Sequence, residues 1–401
     1  MCFQNNPNGE IILKNSTWVL FKLLRSTLFN EEIDKETQSA AIENAHVIYK
    51  AAKHHDVAHL LANAYDKCGF DSLSEDLRKQ IKKKHFVSVI RYERIIHDYK
   101  EIKSAFEQAK IDFIPLKGSV IRDYYPEPWM RSSCDIDILI KENDLDRAMK
   151  VLQKEYSYTS DNHRDFHDIS LHSRGGTHLE LHFNIMENMK DVDTVLSKVW
   201  DYAKASSDDS CMYELSPEFL LYHILAHMSY HILNGGCGIR SFIDLYLLEK
   251  QMEYDDKKLC EICSEGGLLA FKKEAEKLAF VWLENNEHDA VSETFEQFVL
   301  GGGVYGSHET ASAIKHVKNG SKGKYILTRI FQPYDILKEK YPVLKKHKWL
   351  LPICHVRRWI YIVTSDRRNL APGLFKAGGK YSEEQVAEKI EFLKNVGLED
   401  K

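Results

Sequence analysis

Asp135 and Asp137 stand two residues apart, and Ile136, Ile138 and Ile140 alternate with them. In a β-strand, successive side chains point to opposite faces, so both carboxylates leave one face while the isoleucines enter a core. Two neighbouring carboxylates repel, and the arrangement persists most easily with a divalent cation between them. Glu180 lies between Leu179 and Leu181, which places it on the face opposite their core side. A third carboxylate on the same sheet could complete a site for two metal ions. Upstream, Gly118-Ser119 falls between an expected strand and an expected helix, where backbone N–H groups and a hydroxyl can hold phosphate oxygens.

Other residues offer chemistry with a simpler explanation beside it. His223, His227 and His231 recur every four residues, one stripe on one helical face. Two such histidines can chelate a metal. Without a Glu beside them or an obvious third ligand, a packed, hydrogen-bonded stripe is the better reading. Arg240 and Asp244, also four apart, favour a structural ion pair, although their helix could pack over a nucleotide. Cys260 and Cys263 are the one close pair among eight cysteines and have no second pair at metal-ligand spacing, so free thiols packed in helices are expected.

These residues need elements to position them. Apolar positions recur at helical spacing over 17–110, as in Leu20, Leu23, Leu24 and Leu28. Ser72 with Glu75 reads as a capping box, and an uninterrupted helix over 77–110 should follow. The pattern then changes. A strand is expected at 112–116, a turn at 117–119, a short helix over 120–125 stopped by Pro126 and Pro128, and a strand at 134–140. Asn143 would cap a helix reaching 155, and strands at 166–172 and 177–183 would form a hairpin about Gly175-Gly176. Helices then return: Ser216-Pro217-Glu218 opens one that Asn234-Gly235 closes, a second covers 239–252, and 255–297 is helical until Gly301-Gly302-Gly303. The fold class is α+β, a small sheet embedded in helical flanks. The regions expected are a helical 1–110, an α+β unit at 111–205, a helical 206–300, and a basic, mainly helical 301–401.

Composition supports a folded chain of this size. Of 401 residues, 43% are hydrophobic and 29% charged, which excludes disorder, collagen and a membrane bundle. Glycine and proline are scarce, 20 and 9, so helix should dominate. The apolar stretch at 349–364 carries His355, Arg357 and Arg358, so no membrane span is expected. Residues 1–16 lack the basic flank and apolar centre of a signal peptide, and a cytoplasmic location is expected. Net charge is −5, but 314–358 holds twelve Lys/Arg against Asp335 and Glu339. That segment is a field that could draw a nucleotide or a nucleic acid, although most such segments are solvated surface.

Gly118-Ser119, Asp135-Ile136-Asp137 and Glu180 together resemble the pattern of the polymerase β-like nucleotidyltransferase superfamily. More narrowly, three stretches are similar to the bacterial "uncharacterised nucleotidyltransferase" family: Pro115-Leu116-Lys117-Gly118-Ser119, Arg131 ahead of Asp135-Ile136-Asp137-Ile138-Leu139, and Leu179-Glu180-Leu181-His182. Arg240-Ser241-Phe242-Ile243-Asp244-Leu245 and the surroundings of Arg329, Tyr341-Pro342 and Leu351-Pro352 also resemble it. Ser119 and Asp135 are 15 residues apart, counting those between, which is longer than in many superfamily members.

The resemblance implies a polymerase β-like mixed sheet with flanking helices. It also implies transfer of a nucleoside monophosphate from a nucleoside triphosphate such as ATP, with release of pyrophosphate. Asp135 and Asp137 would hold two Mg²⁺, or Mn²⁺ in their place, and Glu180 would ligate the second ion or take the acceptor's proton. Gly118 and Ser119 would meet phosphate, with Lys117 or Arg131 as charge partner for the leaving group. The acceptor, a hydroxyl of a small molecule, a protein or an RNA, is not specified. The alternatives are a catalytically silent member that binds a nucleotide or a protein, and a histidine-metal hydrolase built on the helix from Pro217. Asn in place of Asp135 or Asp137 should abolish transfer and leave stability equal or greater.

Overall fold

Alternating isoleucines and aspartates fold as expected into a strand, an inner one of a five-stranded mixed sheet. The structure, a computed structural model, describes residues 7–164, 166–303, 331–334, 337, 338, 341, 343–364 and 383–399. The strands are β1 (Phe113–Pro115), β2 (Asp135–Ile140), β3 (Thr159–Arg164), β4 (Asp168–His172) and β5 (His178–His182), in the order β1-β2-β5-β4-β3. β2 and β5 run parallel, and the other pairings are antiparallel. β4 and β5 form the expected hairpin, in which Gly176 takes φ +82°, a left-handed conformation glycine adopts without a Cβ clash. A separate ribbon joins β6 (Ala203–Ala205) to β7 (Tyr213–Leu215).

Helices surround the sheet. Five precede it: α1 (Pro7–Phe29), α2 (Lys35–Glu43), α3 (Ala45–His54), α4 (Leu61–Cys68) and the long α5 (Glu75–Ala109). The cap of α5 is Ser74, whose hydroxyl accepts from Leu77 N–H, and not Ser72, which lies in the preceding 3₁₀ turn Phe70–Ser72. Gly69 at φ +95° ends α4 and shifts the start of α5 by two residues relative to the expected cap. Within the α+β unit lie α6 (Gly118–Ile121), α7 (Leu145–Glu155) and α8 (Lys190–Leu196). Asn143 does not cap α7. It sits inside a 3₁₀ turn, Glu142–Asp144, that leads into the helix with no side-chain cap.

After the sheet come α9 (Pro217–Leu233), α10 (Ile239–Gln251), α11 (Asp256–Glu265), α12 (Leu269–Glu284) and α13 (Ala290–Gly302). Ser216 caps α9 through Phe219 N–H with Pro217 in the first turn, as its sequence signature requires. Cys260 and Cys263 are free thiols on α11.

The sheet separates two cores. Ile136, Ile138, Ile140, Leu179 and Leu181 pack with Ile102 and Phe106 of α5 and Leu145, Ala148 and Leu152 of α7. Leu139, pointing the other way, joins a larger cluster built mainly from α1, α4, α9, α10 and α12. β2 is therefore buried on both sides, and only the strand-start positions of its second face remain polar.

Much of the basic segment lies outside the described residues, including 314–330. Its described parts include α14 (Val343–Lys346) and α15 (Leu351–Thr364), with a small cluster of Leu337, Leu344 and Cys354. One further helix, α16 (Glu383–Asn395), sends Phe392 and Leu393 into the large core. No described helix is long and apolar enough to cross a membrane.

Candidate active site

The parallel register sets Asp135 opposite His178, Asp137 opposite Glu180 and Leu139 opposite His182. Because alternate residues share a face, Asp135, Asp137, His178, Glu180 and His182 all project to one side, with Glu180 beside the aspartates as expected. Two groups of ligand atoms lie within 4.8 Å of one another, Asp135 with His178 and Glu180, and Asp137 with Glu180 and His182. Glu180 belongs to both. His182 was legible from the strand period, two positions beyond Glu180.

The two aspartates differ in surroundings. Asp137 is buried, and its Oδ1 accepts from Lys117 Nζ at 2.9 Å and pairs with His182 Nε2 at 3.1 Å. Burial would raise its pKa, but Lys117 and His182 hold it well below the usual carboxylate value. Asp135 is raised, first by burial and then by the charges of Asp137 and Glu180. Burial pushes Lys117 down, and the facing carboxylates Asp137 and Glu180 outweigh it and raise it. His182 behaves alike: burial lowers it, and hydrogen bonds to Asp137 and Glu180 raise it. Three carboxylates with one ammonium and two imidazoles among them form an oxygen-rich, electronegative set suited to a hard divalent cation.

The turn before this face is tightly fixed. Lys117 takes φ +43° and ψ −117°, a region glycine favours and a side chain enters at a cost of ~1–3 kcal/mol. Such strain is retained where the surroundings hold it, here by the ion pair to Asp137. A Cβ on Gly118 would lie 2.7 Å from Arg131 Nη1 and 3.3 Å from Ser133 Cβ, so glycine lets Arg131 pass. Ser119 Oγ is buried without a hydrogen-bond partner, and neither Gly118 nor Ser119 lines the cleft described below.

Arg131 is buried against α10. Its Nη2 donates to Asp244 Oδ2 at 2.8 Å, its Nε lies 3.2 Å from the same oxygen, and Tyr125 donates its hydroxyl to Asp244 Oδ1 at 2.7 Å. The expected Arg240–Asp244 pair is thus not formed. Arg240 Nη1 donates instead to Asp56 Oδ2 at 3.1 Å and to Ser132 O at 2.9 Å. A buried guanidinium offering two nitrogens to one carboxylate outcompetes an i,i+4 neighbour on the same helix.

A cleft of about 310 Å³ opens over these groups. Lys117, Asp135, Asp137 and Glu180 line it from the sheet, His227 and His231 from α9, and Arg240, Ser241 and Asp244 from α10, with Asp56 and Arg131 also exposed to it. No described residue of 331–364 lines it. The histidine stripe is packed as expected and hydrogen-bonded in part: His227 lies between Glu187 (2.8 Å) and His231 (3.0 Å), while His223 is buried with no partner on its Nδ1. Among the described residues, the stripe contributes to no group of converging metal-ligand atoms. Glu187 and Asp56 escaped sequence reasoning because they come from distant loop positions with no local pattern around them.

All of these cleft residues fall within residues 43–284, the stretch matched by the family described as uncharacterised nucleotidyltransferase. No curated protein and no solved structure matches the chain. The match takes in more than half of the sequence and both walls of the cleft, and on it the chain belongs to the uncharacterised nucleotidyltransferase family.

Proposed function

We propose that the protein is a divalent-cation-dependent nucleotidyltransferase that moves a nucleoside monophosphate from a nucleoside triphosphate to a hydroxyl acceptor, releasing pyrophosphate. The observation that carries the reading is the register of β2 and β5, which sets Asp137 against Glu180 with Asp135 on the same face of an open cleft. The strand order and the helices packed on the sheet support a polymerase β-like fold for the unit.

Asp135, Asp137 and Glu180 would hold the metal, two Mg²⁺ or Mn²⁺ ions. Their fit rests on the donor chemistry: oxygen ligands, close spacing, and an Asp135 whose charge is disfavoured until a cation compensates it. Bound there, the metal supplies charge neutralisation of the triphosphate and a more acidic acceptor hydroxyl. Lys117, Arg131 and Arg240 bring positive charge to the cleft, favouring a polyanion and the charge that develops on pyrophosphate as it leaves. Gly118 acts by letting Arg131 reach its place, and Ser119 by forming the turn that aims Lys117.

The test incubates the protein with each α-labelled nucleoside triphosphate, Mg²⁺ or Mn²⁺, and cell extract. Label should pass to an acceptor with wild-type protein and not with Asp135→Asn. A second reading, a silent nucleotide-binding member, is favoured by two contacts: Lys117 and His182 both already sit on Asp137 Oδ1. Nucleotide binding with no label transfer to any acceptor would select it.

A further inference from the structure

The helical wall of the cleft holds titratable groups that the reaction above leaves without a task. Glu187 Oε1 lies 2.8 Å from His227 Nδ1, and His227 Nε2 lies 3.0 Å from His231 Nε2. Both histidines line the cleft, and Glu187 is buried behind them at 9% exposure. The three run in series and do not converge, so they form a chain for protons and not a metal cage. A carboxylate only accepts, so His227 carries its hydrogen on Nδ1 and offers a lone pair at Nε2. His231 must then bridge with a hydrogen on Nε2, which leaves the lone pair of its Nδ1 free.

The chain is held in place. Glu187 N–H and Met189 N–H donate to the two oxygens of Asp193, at 2.8 and 3.1 Å, and fix the segment that carries Glu187. His227 and His231 are one turn apart on α9, and His231 sits in its last turn, where the negative end of the helix dipole favours a cation. Burial and then His227 depress His231 to about 3, against the attraction of Glu187. The ring is therefore neutral at rest with its lone pair available. Lys117 from the sheet and Arg240 from α10 also oppose its protonation. His227 in turn feels Lys117, His182 and Arg131, with Asp137 as the opposing carboxylate and His223 beside it on α9, and Glu187 feels His167 and His182. A polyanionic triphosphate entering between these cations screens them and raises the proton affinity of His231 toward the range a base requires.

We propose that His231 is the general base of the transfer, taking the acceptor's hydroxyl proton on Nδ1, with His227 and Glu187 as the positioning residues that orient it and share its positive charge. The inference rests on the nucleotidyltransferase reading and leaves Glu180 to the metal. The acceptor O–H bond breaks and its proton goes to His231 Nδ1. The oxygen's electron pair forms the bond to the α-phosphorus, and the bond from that phosphorus to the bridging oxygen breaks, its electron pair leaving on pyrophosphate. The Nε2 hydrogen of His231 can move to His227, and the Nδ1 hydrogen of His227 to Glu187. Loss of the Nδ1 proton of His231 to water, with the reverse shifts, resets the chain.

Two experiments test this. Nitrogen-15 spectra of the imidazole rings in the free protein should show His227 protonated on Nδ1 and His231 on Nε2, and a His231 carrying its hydrogen on Nδ1 overturns the proposal. In the second, His231→Ala and His231→Gln are compared with wild type at equal thermal stability, using α-labelled ATP with Mn²⁺. Nucleotide affinity should stay within about twofold, while label transfer falls about 10²-fold and the rate loses its dependence on the group titrating at low pH. Glu187→Gln should cost less, about tenfold, and move that limb. Variants of His231 that keep both rate and pH profile overturn this inference and leave the transferase standing. A wild-type protein that binds labelled ATP and transfers nothing overturns both.

Discussion

Asp135 and Asp137, two positions apart on one strand, stand in opposite electrostatic situations, and substitutions should separate them. Asp137 is buried with Lys117 and His182 on one oxygen. Asp137→Asn leaves the Lys117 ammonium facing a neutral amide, and removal of one partner from such a pair costs about 3 kcal/mol. The contacts of Asp137 thus lead to different expectations for the two changes, where the sequence alone led to unchanged or greater stability for both. Asp135 carries the repulsion alone, so Asp135→Asn should raise metal-free stability, by on the order of 1 kcal/mol, while abolishing label transfer. Urea unfolding of both variants without metal reads this directly, and equal midpoints would show that the two carboxylates share the strain. The sign for Asp137 follows from its depressed pKa. Its contribution is complete above the unfolded value, near 3.9, and is lost as pH falls through the lower folded one.

At the scale of elements, the turn after β1 and the helix α10 meet through Arg131. Gly118→Ala would drive a methyl into Arg131 Nη1, which is pinned to Asp244 and cannot swing aside freely. The expected loss is about 1–3 kcal/mol, with weaker nucleotide binding, measured by thermal melting and by titration with labelled ATP. Asp244→Asn should cost about as much as Asp137→Asn, because Arg131 and Tyr125 both lose their acceptor charge. The elements that bear the carboxylates and the cleft histidines were legible because their signals are local: alternation along 135–140, the Gly175-Gly176 turn, the Ser216-Pro217 start. β3 was missed because Thr159–Arg164 is polar throughout and carries no alternation. The partner of Asp244 was missed because i,i+4 spacing is visible in sequence, whereas a buried arginine 113 residues away is not.

The whole molecule stores a set of neutral histidines. Burial holds His55 and His59 at about 4 and His231 at about 3, with His223 and His227 well below their usual value. The unfolded chain binds these protons below about 6.5 and the folded chain does not, so stability should rise with pH between roughly 4 and 6.5 and fall on acidification through that window. Each such histidine contributes at most about 1.4 kcal/mol per pH unit, while His182, raised by its carboxylates, and Glu249, raised to about 9 mainly by burial, oppose the trend. Urea midpoints at pH 7, 6 and 5 should therefore decline steadily, and a flat series would mean that the depressed rings do not outweigh the opposing groups. The parallel pairing of Asp137 with Glu180 has a consequence for how the chain finds its shape. A slip of one residue between β2 and β5 would turn apolar side chains of one strand toward the polar cleft and drive its carboxylates or imidazoles into the packing of α5 and α7. Burying charge without a partner makes that misregistered pairing costly, so the burial that stabilises the sheet also selects the one alignment on which the carboxylate cluster depends.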